Sequence, residues 1–287
     1  NQKFGAAVLE KFYNETVHDV IAVVCEKDSI EKPIDPIKKL ADQLKIPVFQ
    51  PENYKDKKLI NEIEKLKPDI CVMAYVISFI PKEFREIPVK GTICFHPSLL
   101  PKHRGPSAIN WSIIQGSKET GLTIFYPNNF LDQGDIILQK KVQILPDDTL
   151  GDVYFSKIFP LGVNACVEAV DLISSDNAPK IIQDEKKASY ESWCKKPESK
   201  IDWNKSGEEI YNLIRGCNPQ PGAWAKIKIN EYSFYDTSFE INKNLKYLSG
   251  EIISKNKNEI LISVIGGILK VSRIKSKQGK LYIKEMD

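Results

Sequence analysis

The sequence predicts an α/β fold, a doubly wound and mostly parallel sheet followed by a smaller β-rich domain. Three observations predict it. Residues 19–25 (DVIAVVC) and 68–75 (PDICVMAY) are continuous apolar runs of strand length, the pattern of strands buried on both faces. Between them, residues 37–44 and 59–66 repeat apolar side chains at helical spacing, flanked by charge. Strands alternating with amphipathic helices imply βαβ units. Beyond residue 227, by contrast, short apolar runs are separated by Asn, Gly and Lys turns, as in small antiparallel domains.

In chain order, Asn1-Gln2-Lys3-Phe4-Gly5 leads directly into a helical pattern over residues 6–13. A doubly wound sheet normally opens with a strand, so a strand is expected before this helix, ahead of Asn1. After the two strand–helix repeats, residues 92–95, 122–126 and 136–142 are further strand candidates. Residues 107–115 form a helix by spacing, and a long helix runs over about residues 149–173, after the turn Pro146-Asp147-Asp148. Asp148 or Thr149 supplies its cap. Residues 174–200 turn polar and charged and read as a surface linker. A short helix (207–215) and a Pro/Gly turn (218–222) precede strand patterns at 227–229, 250–254, 260–264, 268–274 and 281–283, a set compatible with a barrel. The expected boundaries are a catalytic domain over 1–173, a linker over 174–200 and a β-rich domain over 201–287.

The composition, 42% hydrophobic and 28% charged over 287 residues, is that of a soluble globular chain with a sizeable core. A net charge of +3 does not argue for nucleic acid by itself. Residues 200–287 hold 15 Lys+Arg against 10 Asp+Glu, a tail of +5, with −2 in the preceding part; this weakly favours an anionic partner near the tail. Cys25, Cys71, Cys94, Cys166, Cys194 and Cys217 are scattered, without a CxxC pair or a His-Cys cluster. They read as reduced thiols in mostly apolar runs, with no metal site. No 18-residue apolar run and no signal-peptide pattern is present, so a cytoplasmic chain with no membrane partner is expected.

The sequence contains three histidines. His18, between Thr16 and Asp19 at a helix-to-strand junction, reads as solvated surface. His96 follows the apolar strand 92–95 and enters the Pro-punctuated loop Pro97-Ser98-Leu99-Leu100-Pro101. It therefore stands at the C-terminal end of a buried strand, where open parallel sheets bind ligands, and on position alone it is as well placed for structure as for function. His103, beside Arg104 and Gly105, reads as orienting or surface. The carboxylate candidate is Asp132 in Leu131-Asp132-Gln133-Gly134-Asp135, with Asp135 as its rival; either could be ordinary turn chemistry.

Together these strings are specific. His96-Pro97-Ser98-Leu99-Leu100-Pro101-Lys102-His103-Arg104-Gly105 and Leu131-Asp132-Gln133-Gly134-Asp135, with 36 positions from His96 to Asp132, resemble the formyltransferase family. That family includes methionyl-tRNA and amino-sugar formyltransferases and the hydrolase domain of 10-formyltetrahydrofolate dehydrogenase. The resemblance covers nearly the whole chain, since Ile201-Asp202-Trp203 and Asn218-Pro219-Gln220-Pro221-Gly222-Ala223-Trp224 look like the start of the family's C-terminal domain. It implies a Rossmann-like N-terminal domain with 10-formyltetrahydrofolate in a cleft at the strand ends. It also implies His96 and Asp132 as the catalytic pair. Ser78, Phe79, Ile80, Ser98, Leu99, Leu100 and Pro101 would be the folate-contacting residues, with Asp132 near the pterin and N10. An amide-like formyl group under attack by water or an amine develops an oxyanion, and N10 must be protonated as it leaves. A histidine held by a carboxylate can serve both needs.

One position departs from the pattern. Transferases of this family usually carry Asn-x-His, and here Cys94 stands two before His96. A thiol is a poor hydrogen-bond donor, so one oxyanion partner is lost. The hydrolase domain of the dehydrogenase lacks that Asn as well, and Ser107-Ala108-Ile109-Asn110-Trp111 and Leu145-Pro146-Asp147-Asp148-Thr149 also resemble that subgroup. Cys94 as a nucleophile is the competing role, without a sign of activation. Hydrolysis of 10-formyltetrahydrofolate to formate and tetrahydrofolate is the expected reaction, without NADP or metal. The alternatives are transfer to methionyl-tRNA or an amino sugar, and a folate-binding module without turnover.

Overall fold

Helix starts in the first half are written into short polar signals. The chain's structure is a computed structural model describing residues 2–31, 33–242, 244–276, 279–281 and 283. It divides into two compact units, Asn1–Arg104, Gly121–Lys141 and Ile158–Tyr190 in one, Gly105–Thr120, Val142–Lys157 and Glu191–Asp287 in the other.

The first unit opens with helix α1 (Gln2–Glu15), strand β1 (Val23–Val24), helix α2 (Pro36–Gln43), strand β2 (Val48–Phe49), helix α3 (Lys57–Leu66), strand β3 (Cys71–Met73), helix α4 (Lys82–Arg85) and strand β4 (Thr92–His96). Asp35 caps α2 by accepting the Ile37 N–H at 3.1 Å, and Pro36 occupies the first turn, where no N–H is required. Asp56 caps α3 in the same way through Lys58. The run 19–25 is regular strand only at β1, because its partner β2 is equally short, and β2 itself has too few residues to show a pattern.

Parallel pairing joins β1 to β2 and β3 to β4. Strand β4 then pairs antiparallel with β5 (Glu119–Phe125), and β6 (Ile136–Gln143) lies beyond it, so the sheet β3-β4-β5-β6 is mixed. The β1–β2 pair forms a separate sheet. A cavity of about 590 Å³ is lined by Val23, Val24, Cys71 and Val72 from the two sheets and by Val8 and Ile37 from α1 and α2; neither His96 nor Asp132 lines it.

The helix expected over 149–173 changes winding. Asp152–Ile158 is π-wound and α6 (Phe159–Ser174) follows. Pro160 in the first turn of α6 has no N–H for the preceding turn, which is where a helix changes its winding. Thr149 and Asp152 cap the start reciprocally: the Asp152 carboxylate accepts the Thr149 N–H at 2.9 Å, and Thr149 Oγ1 accepts the Asp152 N–H at 3.2 Å. By length and composition 152–174 could cross a membrane. Within α6, however, Gly162, Val163, Ala165, Cys166, Ala169, Val170 and Ile173 are buried, as in the core helix of a globular domain. Phe4 of α1 packs with its ring tilted against Phe95 of β4 at 4.4 Å between ring centroids and edge-on against Phe159 at 5.3 Å.

The second unit contains helices α5 (Ala108–Ile114) and α7 (Gly207–Gly216) and an antiparallel sheet. A capping box of Ser206 and Glu209 starts α7. Strands β7 (Ala223–Ile227), β8 (Asn230–Ile241), β9 (Ile252–Lys255), β10 (Ile260–Val264), β11 (Gly267–Ser276) and β12 (Gly279–Leu281) follow the order β7-β8-β11-β10-β9, with β12 on β11. Ile210, Tyr211 and Ile214 of α7 share one core with Phe234, Ile262, Leu269 and Val271 of the sheet.

Two expectations are corrected here. Residues 227–229 are not a strand but the end of β7 and a turn, with Lys228 at φ 53°. The long strand β8 was missed because its polar residues alternate irregularly; it is fixed by pairing on both sides, to β7 and β11. The strand expected at 281–283 partly falls on Tyr282, which lies outside the described residues. Cys194 and Cys217, distant in sequence, meet as free thiols with Sγ atoms 3.7 Å apart.

Gly134 lies in the β5–β6 connection, where a Cβ would sit 1.5 Å from the Tyr126 carbonyl oxygen. Backbone cannot yield as a flexible side chain can. Gly134→Ala is expected to destabilise by about 3 kcal/mol, the upper end for overpacking, read as a lower urea midpoint.

Candidate active site at the end of β4

His96 is the last residue of β4 and is 6% exposed. Its Nε2 lies 2.8 Å from the carbonyl oxygen of His103. A carbonyl only accepts, so Nε2 carries the proton. Nδ1 is then the nitrogen left to react, and it faces Asp132 Oδ2 at 3.6 Å, with the carboxylate side chain 14% exposed. That separation exceeds a hydrogen bond, so the pair flanks a position that a water or substrate oxygen can share. Sequence reading left the orientation of the ring to Asp132; the His103 carbonyl does it instead.

The loop carrying Ser98, Leu99, Leu100 and Pro101 is pinned from beneath by two polar side chains of the sheet. Thr123 Oγ1 donates to the Ser98 carbonyl at 2.6 Å and accepts the Leu100 N–H at 3.1 Å. Gln139 Nε2 donates to the Leu100 carbonyl at 2.8 Å. Ser98 spends its own hydroxyl on the Lys102 carbonyl at 2.7 Å, which makes it a loop-former. The Leu100–Pro101 peptide is cis.

The loop after β3 emerges beside this one, since β3 and β4 are parallel neighbours. Ile77 is 53% and Phe79 67% exposed, Ser78 is exposed, and Ile80 is buried in the core. Buried Arg85 ties this loop to the one before Asp132: its Nε donates to the Ile80 carbonyl at 2.9 Å, and its Nη atoms reach the Pro127 carbonyl at 2.6 Å and Asn129 Oδ1 at 2.7 Å. Phe130 and Leu131, which follow, are also exposed. Apolar side chains left in water around strand ends are what a flat aromatic ligand would cover.

Cys94 is buried two residues before His96. Burial pushes its thiol well above the usual range, and the Asp132 charge pushes the same way. A thiol so placed is protonated and a poor nucleophile.

Of the other candidates, Asp135 uses its carbonyl to accept the Tyr126 N–H at 2.9 Å, closing the β5–β6 ladder. His103 is held by its N–H donating to Ser189 Oγ at 2.8 Å. His18 is half-buried and partly solvated, with Nε2 2.7 Å from Asp171 Oδ1.

Sequence reading missed the partners supplied by the expected linker. Arg104 is 0% exposed; its guanidinium donates to Gln183 Oε1 at 2.8 Å, to both Glu185 oxygens at 2.7 and 2.9 Å, and to the Tyr190 hydroxyl at 2.9 Å. The available signals were an arginine inside a loop motif and the apolar pair Ile181-Ile182 in an otherwise polar stretch.

Comparisons with known proteins agree on one family. The formyl transferase family model matches residues 1–170, and its C-terminal domain model matches 194–285. The chain is 38% identical over 244 residues to the cytosolic 10-formyltetrahydrofolate dehydrogenase of Xenopus laevis, covering 83% of this chain but 27% of that protein. It is 36% identical over 274 residues to the methionyl-tRNA formyltransferase of Clostridioides difficile (strain 630), covering 93% of this chain and 87% of the relative. The solved N-formyltransferase from Helicobacter canadensis, in complex with folinic acid and dTDP-3-aminofucose, superposes with a TM-score of 0.65 at 20% identity over 98% of this chain and 97% of that one, a likeness of fold. With two matched models spanning most of its length, the chain belongs to the formyl transferase family.

Proposed function

We propose that the chain hydrolyses 10-formyltetrahydrofolate to tetrahydrofolate and formate. The observation that carries this reading is Cys94, a buried and protonated thiol where the family's transferases usually present an amide. Similarity to the dehydrogenase relatives supports it.

In this reading His96 acts with both ring nitrogens protonated. Nε2 stays committed to the His103 carbonyl, and Nδ1–H points into the space shared with Asp132. There it donates to the formyl oxygen as charge develops. Asp132 aligns the attacking water and takes its proton as the new C–O bond forms. Collapse of the tetrahedral adduct breaks the C–N bond, and His96 gives N10 the proton it needs to leave. Return of the proton from Asp132 to His96 resets the pair. The exposed apolar rim of Ile77, Phe79, Phe130 and Leu131 would cover the pterin and benzoyl rings, over the backbone of Ser98, Leu99, Leu100 and Pro101.

The second reading is formyl transfer to an amine, favoured by the near full-length match to a methionyl-tRNA formyltransferase. One assay separates them: tetrahydrofolate release from 10-formyltetrahydrofolate, with and without methionyl-tRNA or a nucleotide-linked amino sugar. Release without an acceptor is expected. Turnover only with an acceptor refutes hydrolysis, and binding without turnover leaves a folate-binding module.

His96→Ala and Asp132→Asn are each expected to lower kcat by about 10²–10⁴-fold, read in the same assay. Cys94→Asn is expected to raise turnover with an amine acceptor relative to water, read as the ratio of formylated product to formate. In native protein at pH 8, Cys94 is expected to resist iodoacetamide, checked by mass spectrometry; rapid alkylation there would restore the thiol as a nucleophile.

A further inference from the structure

Stretch 174–200 carries one side chain whose hydrogen-bonding capacity is fully used. Gln183 is 5% exposed, and its carboxamide offers two N–H donors and two oxygen lone pairs. Oε1 accepts from Arg104 Nε at 3.2 Å and Nη2 at 2.8 Å. Nε2 donates to the carbonyl oxygens of Asp132 at 2.9 Å and Gly134 at 2.8 Å. A guanidinium only donates, so it fixes which end of the amide is oxygen and leaves the NH₂ for the two carbonyls.

Both partners of the candidate pair depend on this segment. Asp132 has φ 54°, a left-handed conformation that Asp tolerates better than most residues but that still needs its surroundings to select it. The Gln183 bonds to residues 132 and 134, and a backbone bridge between Ile136 and Ile181 at 2.8 and 3.0 Å, supply that enforcement. On the other side, Ser189 accepts the His103 N–H through its hydroxyl at 2.8 Å and the Arg104 N–H through its carbonyl at 3.0 Å. His103 in turn holds His96.

We infer that Gln183 is a positioning residue for formyl chemistry: bridging Arg104 to the 132–134 backbone, it sets the Asp132 carboxylate against His96 Nδ1 without contacting substrate. This rests on the reading of His96 and Asp132 as the reacting pair.

The test is Gln183→Glu, which preserves shape and the contact to Arg104 but has no donor for the two carbonyls. A shift of about 1 Å in a catalytic group costs about 10²-fold. Gln183→Glu is therefore expected to lower kcat for tetrahydrofolate release by about that factor, with KM and tetrahydrofolate affinity little changed. In an Asp132→Asn background the same substitution is expected to cost nothing further, since both act through one group. Gln183→Asn, an amide one methylene too short to span both sides, is the second variant should the glutamate not fold, with the same kcat-selective loss expected.

Wild-type kcat in the Gln183 variants, a loss confined to KM, or an undiminished further loss in the Asp132→Asn background overturns the inference. Unchanged turnover in both His96→Ala and Asp132→Asn overturns the reading of the site, and the inference with it.

Discussion

A fully buried guanidinium is the constraint around which the first unit is organised. Removing a cation from water costs several kcal/mol unless its donors are all met, and Arg104 sits in a loop whose own backbone cannot meet them. Gln183, Glu185 and Tyr190 do so, from a stretch some 80 residues further along the chain. The polar segment after α6 is thereby drawn back over the strand ends. Once there, it holds the backbone of Asp132 and Gly134 and the N–H groups of His103 and Arg104. One charge requirement thus fixes the geometry of two loops.

That geometry decides which nitrogen of His96 is chemically available. With Nε2 satisfied by a main-chain carbonyl, the ring cannot flip without breaking a buried bond. Nδ1 faces a carboxylate at a distance too long to be saturated by it. The two groups border one position at the end of β4. The neighbouring Cys94 adds apolar volume and no competing charge, since burial holds its thiol protonated.

Much of the scaffold could be read along the chain. Helices α2 and α3 announce themselves by amphipathic spacing and by Asp35 and Asp56 at their caps. The apolar run of β4 puts His96 at a strand end. Reading failed where an element owes its shape to neighbours. Strand β8 has no clean alternation and is made a strand by two partners. The apolar run around β1 becomes regular over only two residues, because β2 offers no more. The winding change at Asp152–Ile158 follows from Pro160, a residue visible in sequence whose effect depends on the helix around it.

The sequence by itself determined most helices of the first unit and the candidate pair: His96 and Asp132 stand in motifs whose residue types and spacing are specific, and local physics carries a histidine to a strand end and an aspartate into a glycine-containing loop. Only the tertiary structure decided how the two face each other. Which imidazole nitrogen is free, that Asp132 is held at positive φ, and that Gln183 does the holding all depend on hydrogen bonds between groups far apart in the chain. Such bonds leave no periodicity in the sequence, because each partner is chosen by position in space and by the need to satisfy a buried polar group.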